Sequence, residues 1–192
     1  ELDEMNPFNS KLSIDAPTKQ EMKKAVSAAC EVHRKWMDEI RREGKRAISY
    51  AEENRMPLMI LAGRPYHTDS EVGHGIDRLA VTLGFVVVSE DSISDLTETP
   101  EVKVLNQWTY HSRLYRAAQY AATHDNCELV QLVSFGCGVD AVTTDEVRRI
   151  LEEQGKLYTQ LKIDEITNLG AVKIRLRSLM GAMDERKKGA EK

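Results

Sequence analysis

The first long pattern in the chain is a stripe of largely apolar residues spaced three, four or seven positions apart. The stripe comprises Met22, Val26, Ala29, His33, Trp36, Ile40, Ala47 and Ala51. This spacing places the side chains on one face of an α-helix whose other faces carry many charges. Thr18 and Glu21 have the spacing of a capping box, so the helix is predicted to begin there and continue to about Asn54. A helix of this length with one apolar face is expected to cross another surface.

From Pro57 onward, short apolar runs alternate with segments of helical periodicity. The predicted strands are 58–62, 85–88, 129–133 and 157–163, and the predicted helices are 75–83, 108–124, 143–155 and 171–183. Residues 89–100 are predicted as a polar loop, and Thr143 with Glu146 as a second capping box. Regular alternation of strands and helices is typical of a parallel sheet with helices on both faces.

The sequence therefore predicts an α/β fold, namely a Rossmann-like, doubly wound sheet of about four parallel strands with a long N-terminal helix. Two parts are expected: an irregular segment with the long helix at 1–56, and the Rossmann-like domain at 57–192. The chain lacks an initiator methionine, and we expect it to be part of a larger protein.

Composition and charge narrow the class of protein. Hydrophobic residues make up 41% and charged residues 30% of the chain, as in soluble globular proteins. The net charge is −4, and no apolar run approaches the roughly 20 residues of a membrane helix. Three cysteines without a C-x-x-C pair argue against a disulfide framework and favour a reducing compartment. We expect a cytoplasmic protein that binds neither nucleic acid nor membranes.

The loop after the first predicted strand is one candidate site, because ligands of doubly wound sheets bind beyond the carboxyl ends of the strands. This loop contains Gly63, Arg64, His67 and His74. Arg64 is suited to grip a phosphate or carboxylate, and backbone N–H groups near the glycines could bind an anion. The loop matches neither G-x-G-x-x-G nor the Walker pattern, so it does not by itself indicate a nucleotide. A structured loop whose histidines satisfy local hydrogen bonds is the alternative.

The loop after the third predicted strand places Cys137 between Gly136 and Gly138. The two glycines leave space for a large group to approach the sulfur, and a nearby helix start would favour the thiolate. A metal ligand, a nucleophile and a structural thiol all remain open for Cys137. Cys127 is predicted just ahead of the third strand, at the opposite edge of the sheet, and Cys30 as a small core residue of the long helix.

Two further segments carry groups that could bind a ligand. Residues 106–113 open the third predicted helix, and aromatic side chains that pack inward are the simpler interpretation. Glu90 and Asp91 follow the second strand, where nucleotide-binding folds place the acid that binds ribose. The missing glycine fingerprint argues against that role here.

Three sets of residues occur together in one known family. They are 63–67 with 74–76, 134–138 with 140–141, and 161–165 with 175–177. In this order they resemble the domain that follows the ATPase modules in large fused 2-hydroxyacyl-CoA dehydratase activators. That domain is itself similar to the iron–sulfur subunits of these dehydratases and of benzoyl-CoA reductase. The resemblance covers roughly residues 57–183.

The resemblance implies a [4Fe-4S] cluster in the full-length protein, and ATP-driven, low-potential electron transfer to or for 2-hydroxyacyl-CoA dehydration. Only Cys137 matches a ligand position, so this chain alone is expected to lack the cluster and to be inactive. In this picture Gly136 and Gly138 leave room for the cluster. Arg64 meets a carboxylate or phosphate of the substrate, and His67 or His74 tunes the cluster or donates a proton. The implied partners are a fused or separate ATPase activator module and an acyl-CoA.

Two other functions stay open at this point. A mononuclear metal hydrolase would use His67, His74 and Cys137, which lie on the same predicted edge of the sheet. A non-catalytic docking module would use the apolar stripe near Trp36 and Ile40. An oligomer is compatible with each of these functions.

Overall fold

The structure of the chain is a computed structural model that describes residues 17–69, 71–134, 138–163 and 168–190. The chain divides into two compact units, one up to Glu39 and the other from Ile40 onward. Within these described ranges, no helix is both long enough and apolar enough to cross a membrane.

Helices and strands alternate along the chain after the first helix, as predicted. The helices are α1 (Lys19–Glu53), α2 (Ile76–Thr82), α3 (Glu90–Ile93), α4 (Thr109–Thr123), α5 (Gly138–Glu152) and α6 (Leu169–Ala190). The strands are β1 (Leu58–Ala62), β2 (Val86–Ser89), β3 (Cys127–Val133) and β4 (Thr159–Lys162), and a short 3₁₀ helix covers Pro65–Thr68.

The four strands form one parallel sheet in the order β2-β1-β3-β4. The predicted α/β fold with a four-stranded parallel sheet and a long N-terminal helix is confirmed. The chain moves from β1 to β2 on one side and then crosses to β3 on the other side of β1. The strand order therefore reverses between β1 and β3, which is where doubly wound sheets bind their ligands.

Side chains of β1 alternate between two apolar cores, one on each face of the sheet. Leu58, Ile60 and Ala62 pack with α4 and α5, and Met59 and Leu61 pack with α2 and α6. Because both faces are covered, β1 is a continuous apolar run rather than an alternating one. This packing fixes the carboxyl ends of β1 and β3 next to each other.

The first helix begins at the predicted capping box. The Thr18 N–H donates to Glu21 Oε2 at 2.8 Å, and the Glu21 N–H donates to Thr18 Oγ1 at 3.2 Å. Up to Glu39 its side chains are mostly exposed, and exposed apolar residues there include Val26, Val32 and Trp36. Cys30 is exposed as well, so its prediction as a core residue is wrong, because the apolar face around it is open to solvent.

Three other local predictions are corrected by tertiary contacts. The capping box at Thr143 and Glu146 is wrong because α5 already begins at Gly138. Thr143 lies buried inside this helix, and the Glu146 carboxylate accepts a hydrogen bond from the Lys103 N–H at 3.0 Å. The predicted polar loop contains α3. β3 begins at Cys127 because residues ahead of its apolar run also pair with β1.

Candidate functional site

The loop after β1 and the start of α5 are joined across the point where the strand order reverses. The Arg64 Nη2 donates to Asp140 Oδ1 at 2.7 Å, and its Nε donates to the same oxygen at 3.0 Å. Both side chains are largely buried, with 21% and 15% exposed. The hydrogen bond to Asp140 raises the pKa of Arg64, so the guanidinium stays charged. Charge-assisted hydrogen bonds of this kind are strong and orient both partners.

A second connection runs from the same loop to the residue that follows β3. His67 is buried, and its Nδ1 accepts a hydrogen bond from the Arg64 N–H at 2.9 Å. A backbone N–H can only donate, so Nδ1 carries no proton and the ring proton lies on Nε2. Nε2 then donates to Ser134 Oγ at 3.2 Å, and the Tyr66 hydroxyl lies 3.0 Å from the same oxygen.

Burial lowers the pKa of His67 and keeps the imidazole neutral. Both ring nitrogens are engaged in hydrogen bonds that hold two loops together. The close fit depends on Gly63, since a Cβ there would lie 2.4 Å from His67 Nδ1. His74 lies in the turn before α2 with a left-handed φ of 49°. The structure thus brings Arg64 and His67 to the residues that follow β3, and places His74 ahead of α2.

Two of the predicted site residues, Gly136 and Cys137, lie outside the described residues. The described residues on either side, Ser134 and Asp140, are both bonded to the loop after β1. Gly138 begins α5, and a Cβ on it would meet no atom of the described residues within 4 Å. The segment 135–137 is therefore bounded at both ends by residues with fixed contacts.

The other cysteines do not complete a cluster site. Cys127 is buried at the amino end of β3, the opposite edge of the sheet, and burial raises the pKa of its thiol. Cys30 is exposed on α1. Among the described residues, no group of three or more His, Cys, Asp or Glu side chains is placed to hold a metal ion. A four-iron cluster does not fit the described donor set, since such clusters use three or four thiolates.

The start of α4 adds residues that the sequence interpretation treated as simple packing. His111 is buried and stacks on Trp108 with ring centroids 5.1 Å apart, and no described residue hydrogen-bonds its Nε2. The Arg64 guanidinium lies 5.6 Å from the centre of the Tyr110 ring. Burial, and then the charge of Arg64, lower the pKa of His111. In a parallel sheet, the helix that precedes a strand starts at the carboxyl edge. The position of residues 108–111 at the start of the helix before β3 is therefore a sequence signal that places them near the site.

A cavity of about 240 Å³ opens beside this network, at the carboxyl ends of β1 and β2. Glu90, the first residue after β2, is 4% exposed and lines it. Burial, and then the charge of Asp91, raise the pKa of Glu90 to about 7. The sequence places Glu90 directly after a predicted strand, but its burial depends on packing between α3 and α4 and has no local signal in the sequence.

The fold and these contacts define a parallel α/β domain whose functional groups converge at the carboxyl edge of its sheet. Residues 4–93, which are 90 of the 192 residues, match the family model of the CoA enzyme activase uncharacterised domain (DUF2229). The match includes α1, β1, the loop with Arg64 and His67, and Glu90, and it supports the predicted activator family. No curated protein and no solved structure matches the chain.

Proposed function

We propose that this chain is a domain of an activator protein that acts with an acyl-CoA dehydratase. The activase family match over residues 4–93 supports this class. The observation that carries the proposal is the pair of connections from the β1 loop, Arg64 to Asp140 and His67 to Ser134. They join the family-matched part of the chain to the segment that contains Cys137.

We further propose that Cys137 supplies one thiolate ligand of a [4Fe-4S] cluster, with the other ligands coming from cysteines outside this sequence. The positions of the other two cysteines support ligands from outside this sequence. Cys30 lies on α1, and Cys127 lies at the opposite edge of the sheet. When bound, such a cluster supplies one-electron transfer at low potential.

The residues of this chain have a positioning role in this proposal. His67 holds Ser134, and Arg64 holds Asp140, so residues before and after 135–137 are both bonded to the loop that follows β1. The engaged ring nitrogens of His67 favour this role over direct proton donation. We retain His74 as a candidate proton donor, and Gly136 with Gly138 as the residues that leave room for the cluster. Arg64 would reach a substrate carboxylate or phosphate only in competition with Asp140.

A docking role is the second candidate function. It is favoured by the exposed apolar side chains of α1, among them Val26, Val32 and Trp36. The metal hydrolase receives less support, because a metal on His67 would have to displace the hydrogen bond of Nδ1 or that of Nε2.

The activity of the full-length protein distinguishes the electron-transfer role from docking. We expect Cys137→Ala to abolish ATP-dependent activation of a 2-hydroxyacyl-CoA dehydratase, because the cluster loses a ligand. The assay is the dehydration rate of the partner enzyme under anaerobic conditions. Cys30→Ala is the matched control, because it removes an exposed thiol on α1 and should keep wild-type activity. Equal activity of both variants would favour the docking role.

A further inference from the structure

We propose that the cavity between the β1 and β2 loops binds a small organic ammonium ion, with Glu90 as its principal anionic contact. This site lies beside the connections from the β1 loop and does not depend on the role of Cys137. The proposal rests on the shape of the cavity, the burial of Glu90 and the charges around both.

The lining of the cavity combines apolar and polar residues. It includes Leu61 of β1, Val87 of β2 and Leu132 of β3, together with the carboxyl groups of Glu90 and Asp77. At about 240 Å³ it is smaller than the pockets that hold drug-sized molecules, which start at roughly 300 Å³. A ligand with a short hydrocarbon body and one polar head matches this combination.

Glu90 is a buried carboxyl group whose contacts among the described residues are a hydrogen bond from its own backbone N–H and a long ion pair. Its nearest opposite charge is Arg113 Nη2 on α4, at 4.0 Å, which is longer than a hydrogen bond. Among the described residues, no side chain donates a hydrogen bond to Glu90. A buried carboxylate in this condition is costly, and a ligand that brings both N–H donors and positive charge would stabilise it.

The remaining charges of the lining favour a cation over an anion. Asp69 and Asp77 add two carboxylates. Arg64 is balanced by Asp140, and His67 is neutral because its Nδ1 accepts a backbone hydrogen bond. A phosphate or carboxylate would therefore meet net negative charge, while an ammonium group would supply three donors to acceptor oxygens.

The test uses three probes of the same shape and different charge: n-butylammonium, n-butanol and butyrate. Each is titrated into the 192-residue chain at pH 8, and binding is followed by the backbone amide NMR signals of Gly63, Gly73 and Leu132. We expect n-butylammonium to shift these signals and butyrate to leave them unchanged. Equal binding of n-butanol would overturn the proposal, because it would show that the apolar lining residues alone select the ligand. Binding of butyrate would overturn it as well.

Variants assign the contact to Glu90. We expect Glu90→Gln to weaken n-butylammonium binding roughly tenfold or more, since it removes a hydrogen bond to a charged group. Asp77→Asn, which changes an exposed lining residue, should give a smaller loss, so the proposal stays testable if Glu90→Gln does not fold. Glu71→Gln is the control, since Glu71 is an exposed carboxylate in the same loop that does not line the cavity. An unchanged affinity in a folded Glu90→Gln variant would exclude the site.

The pH dependence provides an independent readout. The pKa of Glu90 is raised to about 7, so its carboxylate forms as the pH rises from 6 to 8, and affinity for the ammonium should rise with it. The charged groups around Glu90 are Arg113 from α4, its neighbour Asp91 and the lining residues Asp69, Asp77 and Arg64. His67 also lines the cavity, and burial lowers its pKa. Glu90→Gln should flatten the rise, and a rise of the same size in Glu90→Gln would contradict the role of Glu90.

Discussion

Replacing Lys156 with Met should lower the free energy of unfolding by about 3–5 kcal/mol, the usual cost of leaving buried charge and polar groups unpaired. Lys156 is 5% exposed, and its Nζ donates to the carbonyl oxygens of His124 at 2.9 Å, Asp125 at 3.2 Å and Cys127 at 3.0 Å. It also lies 3.4 Å from Glu128 Oε1. Methionine has a similar volume but donates no hydrogen bond, so these acceptors would stay buried without Lys156.

Urea denaturation followed by circular dichroism measures this loss. Lys173→Met is the matched control, because Lys173 lies exposed on α6 and the same change there should leave stability nearly unaltered. Arg186 on α6 also contacts the Glu128 carboxylate, so Glu128 would keep one ion-pair partner in Lys156→Met. Equal unfolding midpoints for Lys156→Met and Lys173→Met would show that the buried ammonium does not stabilise the amino edge of β3.

The second large effect is expected at Gly63. In Gly63→Ala the new Cβ would lie 2.4 Å from His67 Nδ1 and 3.1 Å from the Leu132 carbonyl oxygen. The His67 ring would have to move, which would break its hydrogen bonds to Arg64 and Ser134. We expect a loss of about 1–3 kcal/mol in the free energy of unfolding, as is usual for overpacking.

The pKa of His67 reports this change directly. Burial holds it below its usual value of 6.5 in the native chain, so a displaced, hydrated ring should titrate closer to 6.5. An NMR titration of the imidazole gives the value, and hydrogen exchange of the Arg64 amide should become faster. Gly138→Ala serves as the control, because its Cβ would meet no atom of the described residues within 4 Å. An unchanged His67 pKa in Gly63→Ala would contradict the fixed imidazole.

The sheet and the edge that carries the site were predictable because their signals are local. β1 is an apolar run between Pro57 and Gly63, and the same kind of boundary marks β2 at Gly84. Ligands of doubly wound sheets bind beyond the carboxyl ends of the strands. The alternation of four strands with helices is therefore enough to identify the loop with Arg64 and His67 as a candidate site. The capping box of Thr18 and Glu21 was predictable for the same reason, because its hydrogen bonds involve only neighbours in the chain.

The errors and omissions arise where distant residues decide the outcome. Thr143 and Glu146 have the spacing of a capping box, yet helix α5 starts earlier and Glu146 pairs with Lys103 and Arg149 instead. Cys30 lies beside an apolar stripe that is exposed in the structure. The altered titration of Glu90 comes from burial under elements that pack against it, and no pattern in the sequence encodes that packing.

The activator proposal is tested most directly by the iron and acid-labile sulfide content of the full-length protein, purified anaerobically as wild type, Cys137→Ala and Cys30→Ala. The account predicts about four iron and four sulfide in wild type and in Cys30→Ala, as expected for one [4Fe-4S] cluster. Cys137→Ala should lose most of both. The same iron content in Cys137→Ala as in wild type, or no iron in any of the three proteins, would contradict the assignment of Cys137 as a cluster ligand.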